Sequence, residues 1–221
     1  MRITVLYDNN VVREKLHPAH GFSVLVENKK FSLLFDTGWS GPILLENART
    51  LGKDLKQVRF IFLSHQHWDH IGGLPDVLKE IQREVIFIVP RSFTKGFKRE
   101  LSHYGEVMEA DSSVFEFAPG FFSTGEMDSD IGIKEQALFI KGKKDVLIVG
   151  CSHPDVYRMI NLVGKVDILM GGFHGFERIE LLGDVVGERI FPCHCTVKKD
   201  EILDMYTEKS QKCGAGLEVE I

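Results

Sequence analysis

The six residues His65-Gln66-His67-Trp68-Asp69-His70 bring three imidazoles and a carboxylate into one short segment. Imidazole nitrogen and carboxylate oxygen are the donors that zinc, iron and manganese accept. The segment follows the apolar run 60–63, which reads as a buried strand. Alternate residues share a face where a strand ends, so His65 and His67 can turn toward one point. The turn that follows aims Asp69 and His70 at a second point nearby. Gly72 and Gly73 allow the tight backbone bend behind them. A solvated histidine-rich loop is the plainer alternative, but four donor residues in six favour a metal.

Three more histidines close other apolar runs. They are His153 in Gly-Cys-Ser-His, His174 in Gly-Gly-Phe-His and His194 in Pro-Cys-His-Cys. In α/β folds, ligands bind beyond the carboxyl ends of strands. Each of these histidines alone would fit a structural role. Together with the first motif they point to a two-metal centre.

The elements that must hold these residues follow from apolar spacing. Strand-like runs rich in β-branched and aromatic residues occur at 3–7, 22–27, 31–35, 60–63 and 85–89. Later runs fall at 114–118, 121–123, 136–140, 145–149, 168–170 and 189–191. Pro42 opens a helix whose apolar positions Ile43, Leu44, Ala48 and Leu51 recur at helical spacing. Further helices are expected from Pro75 onward and at 92–101, 154–162, 176–182 and 197–206. The order is a meander followed by alternating strands and helices, so sheets with helices outside them fit best.

The chain has 221 residues, which suits a single domain over 1–221. Hydrophobic residues make up 43% and charged residues 27%, a globular composition that excludes disorder and coiled coil. The net charge of -5 leaves no basic footprint, so no nucleic-acid partner is expected. No apolar run approaches the roughly 18 residues that span a bilayer, so no membrane association is expected. The polar residues Asp8, Asn9 and Asn10 come too early for a signal peptide. Four cysteines are too few for a secreted disulfide scaffold. The sequence therefore reads as cytoplasmic with reduced thiols.

The pattern His65-x-His67-x-Asp69-His70, with Asp36-Thr37-Gly38 upstream and His153 and His194 downstream, resembles the metallo-β-lactamase superfamily. That resemblance implies an αββα sandwich, two mixed sheets with outer helices. It implies one metal site from His65, His67 and His153 and a second from Asp69, His70 and His194. It also implies that Asp36 orients the ligands from beneath the site. Gly150-Cys151-Ser152-His153, Glu135-Gln136-Ala137-Leu138, Gly171-Gly172-Phe173-His174 and Pro192-Cys193-His194-Cys195-Thr196 narrow the resemblance to one subgroup. It is named for 7,8-dihydropterin-6-methyl-4-(β-D-ribofuranosyl)-aminobenzene-5'-phosphate synthase. The superfamily's bridging aspartate is missing, and the corresponding region offers His174, either as a ligand or as a substrate contact.

The resemblance implies a metal-dependent hydrolase that activates water against an ester, lactone or phosphoester bond of a small molecule. Two divalent ions would serve it, zinc first, with iron or manganese as alternatives. Asp69 and His174 are the candidate catalytic groups. A transferase of the synthase type, using the same metals, is the alternative. Asp8, Asn9, His20 and Trp68 are candidates for lining the substrate pocket, although Asp8 and Asn9 equally suit turn chemistry. A structural zinc site built from Cys151, Cys193, Cys195 and Cys213 is a lower reading. Oligomeric state is left open.

Overall fold

Almost continuous burial along the first strands, rather than alternation, marks a sheet covered on both faces. The computed structural model describes residues 1–221 and divides into two compact units, Met1–Glu109 with Gly214–Ile221, and Ala110–Cys213. The first unit holds β1 (Arg2–Tyr7), β2 (Ser23–Glu27), β3 (Ser32–Phe35), β4 (Val58–Phe62), β5 (Val85–Pro90), β6 (Gly105–Ala110) and the C-terminal β15 (Glu218–Glu220). They form one seven-stranded sheet in the order β15-β1-β2-β3-β4-β5-β6. The sheet is mixed: β1, β2 and β3 run antiparallel, whereas β3, β4 and β5 run parallel.

The parallel pairing of β3 with β4 positions the donor residues, because it brings the ends of both strands to one edge. Helices α1 (Gly41–Thr50), α2 (Trp68–Ile71), α3 (Leu74–Ile81) and α4 (Lys95–Leu101) connect the later strands. Leu44 and Ala48 of α1 and Val77 and Ile81 of α3 pack with Leu25, Leu34, Ile61 and Phe87 of the sheet. The expected proline starts hold, since Pro42 and Pro75 lie in the first turns of α1 and α3. Buried Asn47 of α1 ties down the long connection after β1, donating to the carbonyls of Leu6 and His17.

The second unit holds β7 (Phe115–Ala118), β8 (Phe121–Ser123), β9 (Met127–Asp128), β10 (Lys134–Glu135), β11 (Leu138–Ile140), β12 (Val146–Val149), β13 (Val166–Gly172) and β14 (Val186–Cys193). Six of these make a second mixed sheet in the order β14-β13-β12-β11-β8-β7, and β9 pairs with β10 as a separate ribbon. Strands β12, β13 and β14 are parallel, so their carboxyl ends share one edge. Helices α5 (Val156–Val163), α6 (Leu182–Val185) and α7 (Lys199–Met205) belong to this unit. Val156, Met159 and Ile160 of α5 and Ile202 of α7 bury against Leu147, Leu169 and Ile190 of the strands. No helix is long and apolar enough to cross a membrane.

Two expectations are corrected. The helix expected over 176–182 is a short 3-10 turn, Ile179–Leu181, leading into α6. The Tyr206 hydroxyl lies 2.9 Å from the carbonyl oxygens of Ile179 and Glu180 and accepts from the amide of Gly183 at 2.9 Å. Those backbone groups are therefore not available to extend a regular helix. The reduced-thiol reading is also overturned, because Cys193 and Cys213 form a disulfide. The same bond removes the four-cysteine zinc site, leaving only Cys151 and Cys195 as thiols.

Candidate metal centre

In the first unit, the ends of β3 and β4 carry the candidate donors. Asp36 follows β3 in a left-handed conformation, with φ at 50°. Its fully buried carboxylate accepts from the Ser64 amide at 2.7 Å, the Ser64 hydroxyl at 2.7 Å and His70 Nδ1 at 2.7 Å. A carboxylate on Nδ1 fixes that nitrogen as the proton-bearing one and leaves Nε2 as a lone-pair donor. The chain of bonds continues to His65, whose Nδ1 lies 2.9 Å from the Ser64 oxygen. Because that hydroxyl already donates to Asp36, His65 Nδ1–H donates to it, and Nε2 again carries the lone pair.

The other edge of the His65 ring meets His67, with Nε2 and Nδ1 separated by 3.1 Å. Two nitrogens about 2.0–2.1 Å from one tetrahedral ion would stand about 3.3 Å apart. The pair is thus spaced as two donors on a common cation. His67 caps the amino end of α2, and the helix that follows brings Asp69 back toward His70. The Asp69 Oδ2 lies 3.6 Å from His70 Nε2 and 3.2 Å from His20 Nε2. The segment thus sets His65 beside His67 and Asp69 beside His70. Gly21 makes the His20 contact possible: its φ is 131°, and an added Cβ would lie 2.4 Å from the Asp69 carbonyl oxygen.

In the second unit, all three candidate histidines follow the parallel strands at their shared edge. His174 and His194 adopt left-handed backbone, with φ at 42° and 43°, and Ser152 beside His153 does so at 61°. Such conformations cost of order 1–3 kcal/mol each and persist where surrounding contacts enforce them. Glu135, fully buried, enforces one of them. Its Oε1 accepts from the amides of Cys151 at 2.8 Å and Ser152 at 2.9 Å. Its Oε2 accepts from the His153 amide at 3.0 Å and from His153 Nδ1 at 2.8 Å. His153 is thereby prepared, like His70, to present Nε2. His194 is buried, and a donor atom of its ring lies within 4.8 Å of the Cys151 sulfur.

His174 differs from its neighbours. Its ring is exposed and lies 5.1 Å from that of His153. Its pKa is raised above the ordinary histidine value, first by a hydrogen bond with the Cys195 side chain. Partial burial opposes that shift, and attraction from Cys195 and Glu135 adds to it.

The candidate pocket residues separate. Asp8 is buried and accepts from the Asn10 amide at 2.9 Å, a turn contact, whereas Asn9 accepts from the Gly21 amide at 3.2 Å and ties together the two ends of the loop after β1. His20 reaches the Asp69 carboxylate. Trp68 is exposed and lines an apolar groove with Ile71, Leu78, Phe97 and Tyr104. Sequence reasoning missed Glu135 as a site residue. Its signal was an acidic residue leading into the apolar run 136–140.

Residues 18–104 match the family model described as the metallo-beta-lactamase superfamily. A curated protein, 7,8-dihydropterin-6-methyl-4-(beta-D-ribofuranosyl)-aminobenzene-5'-phosphate synthase of Methanocaldococcus jannaschii, is 27% identical; the alignment covers 89% of this chain and 88% of that protein. The crystal structure of a metal-dependent hydrolase of the beta-lactamase superfamily aligns with a TM-score of 0.80 at 27% identity, covering 100% of this chain and 99% of that one. Human tRNase Z, short form, aligns with a TM-score of 0.71 at 17% identity over 100% of this chain and 99% of that one, a likeness of fold.

Proposed function

This chain is a metallo-β-lactamase-fold protein, and from that premise we propose that it is a metal-dependent hydrolase of a small-molecule ester, lactone or phosphoester. The observation that carries the reading is the set of imidazoles whose Nδ1 atoms are spoken for. His70 is held by Asp36, His65 by Ser64 and His153 by Glu135, each leaving Nε2 as a donor. Neutral imidazoles oriented by carboxylates are what divalent ions of the zinc type require. The proposed assignment follows the family: His65, His67 and His153 for one ion, Asp69, His70 and His194 for the other, with zinc as the expected metal. Divalent ions bound there would supply Lewis acidity and lower the pKa of water from 15.7 to about 7.

The chain's own residues do the rest. Asp36 and Glu135 hold the imidazoles in one tautomer and one orientation. Asp69, steadied by His20, presents its carboxylate to the reacting water and orients it. His174, held toward its protonated form by Cys195, donates a proton to the leaving oxygen. Trp68 and Trp39, both exposed, offer aromatic faces for substrate. The test is a hydrolysis screen of esters, lactones and phosphoesters with wild type and His67→Ala. A substrate turned over by wild type and lost in the variant is expected. Equal turnover by both under metal-controlled conditions would refute the reading.

A second reading has its own support in the 27% identity to the dihydropterin synthase along 89% of the chain. In it a pterin takes the place of water as the nucleophile and a pyrophosphate leaves. The bicyclic ring would stack on Trp39 or Trp68. Phe173 and Phe176, buried in the core of the second unit, do not offer such a surface. Thermal stabilisation by pterins would favour this reading, and its absence across a pterin panel would count against it.

A further inference from the structure

We propose that Cys151 is a metal ligand, adding a thiolate to the histidine and aspartate donors and biasing the site toward zinc, cobalt or iron(II). The inference rests on the metal-dependent reading of the chain. Of the four cysteines, Cys193 and Cys213 are bonded to each other. Cys195 pairs with His174, and its sulfur lies 3.9 Å from the Cys151 carbonyl oxygen. The Cys151 sulfur lies beside a histidine of the proposed metal assignment: its Sγ and a ring nitrogen of His194 are within 4.8 Å of one another. Both residues are buried, with 3% of each exposed.

The position is fixed in advance of any ion. Glu135 binds the amides of Cys151, Ser152 and His153 together, so the peptide carrying the sulfur has little freedom. The Ser152 hydroxyl donates to the Gly172 carbonyl at 2.7 Å and ties this turn to the end of β13. The left-handed Ser152 splits the two neighbours it separates, so Cys151 and His153 do not share a face as alternate strand residues would. His153 turns to Glu135, and the Cys151 sulfur turns to His194. Coordination breaks the S–H bond, sends the proton to solvent and forms a metal–sulfur bond with no change in oxidation state. Thiolate donors favour zinc and similar ions over manganese or magnesium, which take oxygen.

The test is X-ray absorption at the zinc edge on the full chain loaded with zinc, with Cys151→Ala, Cys151→Ser and Cys195→Ala alongside. A sulfur shell at about 2.3 Å, beside nitrogen and oxygen near 2.0–2.1 Å, is expected in wild type. It should vanish in both Cys151 variants and persist in Cys195→Ala. Cobalt substitution gives the second readout, a sulfur-to-cobalt charge-transfer band in the near ultraviolet with the same pattern. Zinc bound through nitrogen and oxygen alone in wild type would overturn the inference while leaving the metal-dependent reading standing. A sulfur shell that survives Cys151→Ala would overturn it as well. A wild-type chain that takes up no zinc would defeat the parent reading and this one together.

Discussion

Replacing Glu135 by glutamine tests the support of the second unit's donors with almost no change of shape. The carboxylate accepts four hydrogen bonds, two at each oxygen: Cys151 and Ser152 amides on one, the His153 amide and Nδ1 on the other. A carboxamide has one acceptor oxygen and one donor nitrogen. Whichever way it is turned, one pair of N–H groups faces an NH2 instead of an oxygen. Two buried donors left unaccepted cost about 1–3 kcal/mol each, so Glu135→Gln should destabilise by about 2–6 kcal/mol. For a chain of this size that lowers Tm by about 4–24 °C. Urea unfolding read by circular dichroism measures the first quantity. Zinc affinity, by competition with a chromophoric chelator, measures the functional one and should fall about 10–100-fold. The His153 tautomer is no longer fixed, so its Nε2 loses part of its donor character. A variant with stability within about 0.5 kcal/mol of wild type and unchanged zinc affinity would refute the orienting role of Glu135.

Other expectations rest on the same geometry. Asp36→Asn should lower metal content and stability together, since Oδ1 and Oδ2 serve Ser64 and His70 at once; elemental analysis and thermal melts check it. Gly172→Ala should destabilise by about 1–3 kcal/mol, because the added Cβ would lie 2.6 Å from both the Cys195 sulfur and the Gly150 carbonyl oxygen. Reduction of the Cys193–Cys213 disulfide frees a loop with a separation of 20 residues and should cost about 3 kcal/mol, read from urea unfolding with and without reductant. His20→Ala should leave stability within about 0.5 kcal/mol, because the His20 side chain is 61% exposed, while turnover falls if His20 steadies Asp69.

How far the sequence could be read depends on how local each feature is. The donors from His65 to His70 were legible because a strand, a tight turn and a short helix lie within one continuous segment. The histidines after β12, β13 and β14 were legible because each closes an apolar run. The starts of α1 and α3 were legible through Pro42 and Pro75. The features that escaped are non-local. Glu135 acts on residues 151 to 153 through a hydrogen-bond set that no spacing rule encodes. The Cys193–Cys213 bond joins residues 20 apart, and their spacing resembles no recognised framework. The shortened turn around Ile179 is set by the hydroxyl of Tyr206, which comes 27 residues later. Strand β6 has exposed and half-buried positions and too few apolar residues to announce itself.

The central claim is that these residues hold divalent ions, and metal content per chain tests it most directly. Protein purified without chelator and without a metal-binding tag would be analysed for zinc, iron and manganese, with His67→Ala beside it. About two equivalents in wild type, falling in His67→Ala, is the predicted result. One equivalent or fewer, unaffected by His67→Ala, would contradict the claim.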